Sequence, residues 1–261
     1  MSTPPSADDL RIAGMVPLST VDRPGSLVAT VFCQGCPWRC TYCQNAEILD
    51  PTVPGQVPFS RVLELLDRRR GLLDGVVFSG GEATMQQALV PAANAVRERG
   101  FSVGLHTGGA FPRRLEALLG PGRAGGPLVD WVGFDVKASA DGYDPLVGRP
   151  HAWERARESL RILWDSGVEH ELRMTLTPDL LDQVPAVLEM LAERPRAADR
   201  DRGTLVLQQA QARGTSPDFA ARLARETNWD ADFAAAVREA RAVGEQVGIR
   251  VQVRGGATLV A

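Results

Sequence analysis

The chain has 261 residues, 44% hydrophobic and 23% charged, with a formal net charge of -3. That suits one sizeable globular core, and so mild a balance argues against a surface that coats nucleic acid or seeks a membrane. No uninterrupted apolar run is long enough to span a bilayer, and Met1 to Asp9 shows no basic-plus-apolar signal, so a cytoplasmic protein with neither nucleic acid nor membrane as partner is expected.

Short β-rich runs alternate with longer helical ones. Leu27 to Phe32 reads as a strand, Phe59 to Arg70 as a helix, and Gly75 to Phe78 as a buried strand. Gln86 to Arg99 has helical spacing and stops at Gly100, and Ser102 to His106 is the next strand. A short helix over Arg113 to Leu119 precedes a strand over Trp131 to Val136. Trp153 to Asp165 is helical, His170 to Leu176 a strand, and Leu180 to Glu193 helical. Leu205 to Gln209, Asp232 to Val247 and Ile249 to Val253 complete the set as strand, helix and strand. Leu119 to Leu128 and Arg194 to Gly203 read as variable loops rather than linkers, because the alternation resumes beyond each. The rhythm predicts an α/β fold: one partial, open barrel of the TIM type, with about six parallel strand–helix units. Residues 1–18 form an N-terminal segment and 19–261 a single domain.

All four cysteines, Cys33, Cys36, Cys40 and Cys43, fall within eleven residues after the first strand. A disulfide framework would spread them, whereas crowding gathers thiolates around one metal centre. Two readings are open. Cys33 with Cys36 and Cys40 with Cys43 could hold zinc, although zinc ribbons leave a longer connection between their pairs. Alternatively Cys36, Cys40 and Cys43 bind three irons of a four-iron cluster and leave the fourth iron open. Cys33 is then a small buried hydrophobe.

Other signals stand at strand ends, where a parallel barrel gathers distant residues on one rim. Ser79-Gly80-Gly81-Glu82 follows the second strand, His106-Thr107 ends the third, and Asp135-Val136-Lys137 ends the fourth. Glycines admit a ligand close to the backbone, and a carboxylate accepts bonds from an ammonium. Taken singly, these are an ordinary tight turn, a hydrogen-bonded histidine and a surface ion pair. Arg173 lies within an apolar strand and needs an anion, either a ligand carboxylate or Glu171. Gln208 and Gln209 lie on the sixth strand.

The spacing Cys36-x3-Cys40-x2-Cys43, with Tyr42 before its last cysteine, resembles the radical S-adenosylmethionine superfamily. The resemblance implies a [4Fe–4S] cluster on the three cysteines and S-adenosyl-L-methionine at the open iron. It puts Tyr42 against the adenine, Gly80, Gly81 and Glu82 at the cofactor's amino group, and Lys137 near its carboxylate. Asn45, Thr107, Asp135 and Arg173 join these as cofactor contacts, and Gln208 and Gln209 fall where the family meets the ribose. In related pyruvate formate-lyase activators an Asp-Thr pair helps hold a monovalent cation. His106 replaces that Asp, so the cation site is not carried over.

Ser19-Thr-Val-Asp22-Arg-Pro-Gly25, together with Phe32-Cys-Gln-Gly-Cys36, resembles the glycyl-radical-enzyme activating branch, in particular activators of anaerobic ribonucleoside-triphosphate reductase in their longer form. Asp22 becomes a substrate-side candidate, or else a turn-forming Asp. The chain departs from the branch at Gln44, where the cluster loop usually has His, and at Arg23, where the lead-in usually has Gly. The expected activity is reductive cleavage of the cofactor to a 5′-deoxyadenosyl radical, which takes hydrogen from a glycine of a partner glycyl-radical enzyme. Flavodoxin or ferredoxin would donate the electron. The alternatives are small-molecule radical chemistry of the deazapurine-synthase kind, and a non-catalytic zinc-stabilised binding protein.

Overall fold

A computed structural model of the protein describes residues 4–120, 126–194 and 203–254. In chain order the elements begin with β1 (Ile12–Ser19), β2 (Val28–Cys33), α1 (Phe59–Arg68), β3 (Gly75–Gly80) and α2 (Leu89–Glu98). Next come β4 (Ser102–Thr107), α3 (Pro112–Leu119), β5 (Trp131–Asp135), α4 (Ala140–Val147), α5 (Ala152–Ser166) and β6 (Glu169–Leu176). The chain continues through α6 (Val184–Ala192), β7 (Thr204–Gln209), α7 (Pro217–Leu223), α8 (Trp229–Val247) and β8 (Arg250–Arg254). These residues form two compact units: Met1–Pro37, Glu47–Phe134 and Glu154–His170 in the first, and Trp38–Ala46, Asp135–Trp153 and Glu171–Ala261 in the second.

In the first unit β2, β3, β4 and β5 are parallel neighbours. The register sets Phe32 beside Ser79 and His106 beside Gly133. The row below runs Thr30, Val77, Gly104 and Trp131. Val76, Val77, Phe78, Val103, Leu105, Val132 and Phe134 are buried, as expected of parallel strands covered on both faces. Phe59, Val62, Leu65 and Leu66 make the buried stripe of α1. In the second unit β6, β7 and β8 are parallel, with Leu176 beside Gln209. α8 ends on Gly248 in the left-handed conformation, which turns the chain into β8.

The seven strands expected from the sequence are present, and β1 is an eighth. It pairs antiparallel with β2 and ends the first unit's sheet, while β8 ends that of the second. The sheets are therefore open at these strands, in keeping with a partial barrel, but the strand count exceeds six. Gly14 and Pro17 interrupt β1, and its register shifts on either side of Gly14 to Val16, which hides the period-two signal of a strand. α4 was likewise unexpected, because Gly142 and Pro145 lie inside it. The predicted helix Leu180 to Glu193 splits into a 3-10 stretch, Pro178–Gln183, and α6. Parts of the two expected variable loops, 121–125 and 195–202, lie outside the described residues. Among the described residues no helix is long and apolar enough to cross a membrane.

Phe134 is fully buried, and its ring lies where a side chain at Gly109 would stand: a Cβ there would be 2.6 Å from its tip. Phe134→Ala should therefore lower unfolding free energy by about 3–5 kcal/mol, read from urea titrations of the two proteins.

Candidate functional site

The first unit holds Cys36 and the Gly-Gly-Glu turn. Gly35 and Cys36 donate their N–H groups to the Ile48 and Leu49 carbonyls at 2.8 and 3.1 Å. The Gln34 amide reaches the Ile48 and Asp50 carbonyls, so the first half of the cysteine loop is zipped to the chain that returns from it. The Gly35 carbonyl accepts the N–H of Glu82 at 2.9 Å. A Cβ at Gly81 would lie 2.2 Å from that carbonyl oxygen, and one at Gly80 would lie 2.4 Å from the Cys33 nitrogen. Both glycines are required by close backbone approach, and Gly80 also has φ 107°.

Glu82 is 2% exposed. Its Oε1 accepts the Thr84 N–H at 3.1 Å, the Thr84 hydroxyl at 2.6 Å and the Thr107 hydroxyl at 2.7 Å. Its Oε2 accepts the Gly108 N–H at 3.0 Å. Every donor is neutral. Burial raises the carboxyl's pKa, and the four hydrogen bonds pull against that rise. A carboxylate offers about four lone-pair positions, and on Oε2 one is left for a cationic donor.

Cys33 is wholly buried, and its thiol is pushed up to about 12, first by burial and then by the negative charge of Glu82. That shift favours the neutral thiol and suits a packing residue. No cysteine is in a disulfide.

The second unit holds Cys40, Tyr42, Cys43 and the positive residues. The Cys43 N–H donates to the Cys40 carbonyl at 3.1 Å, which closes a tight turn between these two half-buried cysteines. Burial raises the Cys40 thiol's pKa, and the charge of Lys137 works against the rise. The Lys137 ammonium stands 6.0 Å from the centre of the Tyr42 ring. Tyr42 is 5% exposed and its buried hydroxyl has no hydrogen-bond partner.

Asp135 accepts from two cations. Arg173 Nε and Nη2 donate to Oδ1 at 2.9 and 2.8 Å, and Lys137 Nζ donates to Oδ2 at 3.1 Å. Burial disfavours the Lys137 ammonium, but Asp135 together with Tyr42, Cys40 and Tyr143 outweighs it and the pKa rises. Asp135 is thus the partner of Arg173, not Glu171, which forms its own two-pronged pair with Arg254 at 2.8 and 2.7 Å. Lys137 is also no surface pair, since its side chain is 16% exposed. Gln209 donates to Asp230 at 2.7 Å and Gln208 faces Thr175 at 3.5 Å. Asn45 is half-buried.

The remaining expected residues lie in the first unit. Thr107 serves Glu82. His106 bonds to Ser79 and to the Asp22 carbonyl, and the Asp22 carboxylate accepts the Thr30 hydroxyl at 2.6 Å. Thr84, Gly108 and Thr30 were missed by sequence reasoning. Only Thr84, two residues after Glu82, has a local signal, that of a hydroxyl placed to meet a neighbouring acid.

The Radical SAM superfamily pattern matches residues 30–191. The chain belongs to the Radical SAM superfamily. A Methanocaldococcus jannaschii protein provisionally named as a glycyl-radical enzyme activating enzyme is 31% identical over 66% of this chain and 70% of its own. The pyruvate formate-lyase-activating enzyme of Clostridium pasteurianum is 28% identical over 66% of this chain and 71% of its own. Streptococcus suis SuiB, solved with S-adenosylmethionine, shares the fold with a TM-score of 0.63 at 12% identity, covering 85% of this chain and 48% of that one. Neither relative's name specifies ribonucleotide reductase as its target.

Membership of this superfamily implies a [4Fe–4S] cluster with S-adenosylmethionine, and the residues fit both. The cysteine loop offers soft thiolates. Among the described residues no three His, Cys, Asp or Glu side chains converge as one ion would need, whereas a four-iron cluster takes each thiolate on a different iron. In the second unit the unpartnered Tyr42 hydroxyl, and in the first unit Glu82 with only neutral donors among the described residues, each suit a polar ligand.

Because the folded state raises the Glu82 pKa, it binds a proton more tightly than the unfolded chain does. Stability of the cofactor-free protein is then undiminished by this group below the ordinary glutamate range, near 4.5, and falls as pH rises from there to the raised value. Glu82→Gln should remove that fall and leave a pH-independent offset from its mismatched amide. Urea titrations across pH 4 to 8 check this: the variant-minus-wild-type difference should shift in the variant's favour as pH rises.

Proposed function

We propose that this enzyme makes a glycyl radical on a partner protein. The observation that carries the cofactor half of the reading is the buried Glu82 carboxylate, whose donors among the described residues are all neutral. Lys137 and Arg173 are cations held on Asp135, and an α-amino acid group carries both an ammonium and a carboxylate. Glu82 would take the ammonium through Oε2, with Gly80 and Gly81 giving the backbone room. Lys137 and Arg173 would take the carboxylate, and Asp135 would hold both cations in place. Tyr42 would lie against the adenine, with Asn45 and Thr107 completing the contacts. Cys36, Cys40 and Cys43 would hold the cluster, with an electron delivered by flavodoxin or ferredoxin. So bound, the cluster and cofactor supply a 5′-deoxyadenosyl radical, which takes one hydrogen atom from the substrate.

The likeness to activating enzymes over two-thirds of the chain supports a glycine Cα as that hydrogen's source. Within this reading the target is an anaerobic ribonucleoside-triphosphate reductase, on the strength of the Asp22 segment and the cluster loop. The names of the relatives favour pyruvate formate-lyase as the comparison partner. Asp22, half-buried at the end of its segment, would face the glycine.

Reconstituted anaerobically and reduced, the protein should convert S-adenosylmethionine to methionine and 5′-deoxyadenosine. Incubated with each of the two partners, it should leave a glycyl-radical signal in the electron paramagnetic resonance spectrum of one. Cofactor cleavage without a signal on either partner would move the substrate to a small molecule; no cleavage at all would sink the reading.

The cysteines divide cleanly in the same preparation. Cys36→Ala should lose the four-iron absorbance and most of the bound iron. Cys33→Ala should keep both, at a cost of roughly 1 kcal/mol for the small cavity it leaves. Equal iron loss in the two variants would instead favour a four-cysteine site.

A further inference from the structure

The segment between β1 and β2 is pinned from several sides. Ser19 Oγ accepts the N–H groups of Val21 and Asp22 at 3.3 Å each. Arg23 reaches the hydroxyl of Ser102 at 2.8 Å. These contacts lie at the amino ends of β2 and β4. His106, near the other end of β4, makes a different contact: its Nε2 lies 2.7 Å from the Asp22 carbonyl oxygen, and its Nδ1 lies 3.1 Å from the Ser79 hydroxyl.

A carbonyl only accepts, so Nε2 carries a proton, and in the neutral imidazole the Ser79 hydroxyl donates to Nδ1. The register gives the ring its space. Gly104 precedes it by two residues on the same sheet face, and Gly133 stands beside it on β5. A Cβ at Gly104 would come within 2.8 Å of Val77. Trp131 packs edge-on against the ring, with centroids 5.7 Å apart. The histidine therefore ties the Asp22 backbone to Ser79, the residue immediately before Gly80-Gly81-Glu82.

With its backbone held by His106 and its Oδ2 held by Thr30, the Asp22 carboxylate has a fixed direction. Its Oδ1 has no hydrogen-bond partner among the described residues. We propose that His106 is a positioning residue for the protein substrate: it fixes the Asp22 segment so that Oδ1 accepts a backbone N–H of the chain bearing the reacting glycine. This rests on the activase reading above. Arg23 and Ser19 hold the segment's ends, while His106 holds the peptide unit that sets the carboxylate. The donor atom matters more than the ring, so a glutamine at this position should substitute in part.

The test uses reconstituted holoenzyme, a synthetic peptide carrying the partner's glycine sequence, and the variants His106→Ala and His106→Gln. His106→Ala should raise the KM for the peptide roughly tenfold with kcat within about twofold, as for lost uniform binding. His106→Gln should recover most of that loss. Hydrogen exchange should speed up in residues 20–26 of His106→Ala and slow again in His106→Gln. An unchanged KM, or a loss that glutamine does not recover, overturns the proposal. If wild type cleaves S-adenosylmethionine but radicalises no glycine peptide, the activase reading has failed instead. The hold of His106 on the segment is then judged by exchange alone, and unchanged exchange in His106→Ala overturns it.

Discussion

A carboxylate buried without a counter-charge is costly, and most proteins neutralise it or pair it. Glu82 is kept by four donors at once, two from Thr84, one from Thr107 and one from Gly108. That constraint organises its surroundings in the first unit. β3 must end in glycines so that Glu82 can turn in beneath the Gly35 carbonyl, and β4 must end in a hydroxyl residue followed by a free N–H. Arg114, whose guanidinium donates to the Thr84 and Met85 carbonyls, braces the short turn that follows Glu82. Four neutral bonds stabilise the charge without cancelling it, which leaves a preference for a cation that the described residues do not meet.

The second unit makes the complementary choice. One aspartate holds two cations, so that neither folds away to solvent. Arg173 spends two donors on a single oxygen of Asp135, while Lys137 takes the other oxygen and stays beside the Tyr42 ring.

Much of this was legible in the sequence because it rests on local pattern. The family resemblance of Cys36-x3-Cys40-x2-Cys43 set Cys33 apart as an expectation, and Gly80-Gly81-Glu82 and Asp135-Val136-Lys137 marked strand ends that carry charge. What was hidden depends on contacts across the chain. Nothing near Arg173 in sequence identifies Asp135 as its partner, and the adjacent Glu171 was the more obvious choice until Arg254, the last residue of β8, claimed it. β1 was hidden for a different reason: Gly14 and Pro17 erase its alternation, and only pairing with β2 makes it a strand. α4 carries two helix breakers, yet its Asp144 accepts the N–H groups of His151, Ala152 and Trp153 at the start of α5. A cap supplied from so far upstream has no sequence signature at the helix it serves.

The contrast between Cys33 and its neighbours shows how much of a site is set by solvent access rather than residue type. Cys33 sits in the ladder between β1 and β3, sealed from water and close enough to Glu82 to feel its charge, and both effects oppose a thiolate. Cys40 is also raised by burial, but Lys137 works in the opposite direction there. Burial first, and the Glu82 charge second, thus favour the protonated Cys33 thiol, while at Cys40 a neighbouring cation partly offsets burial.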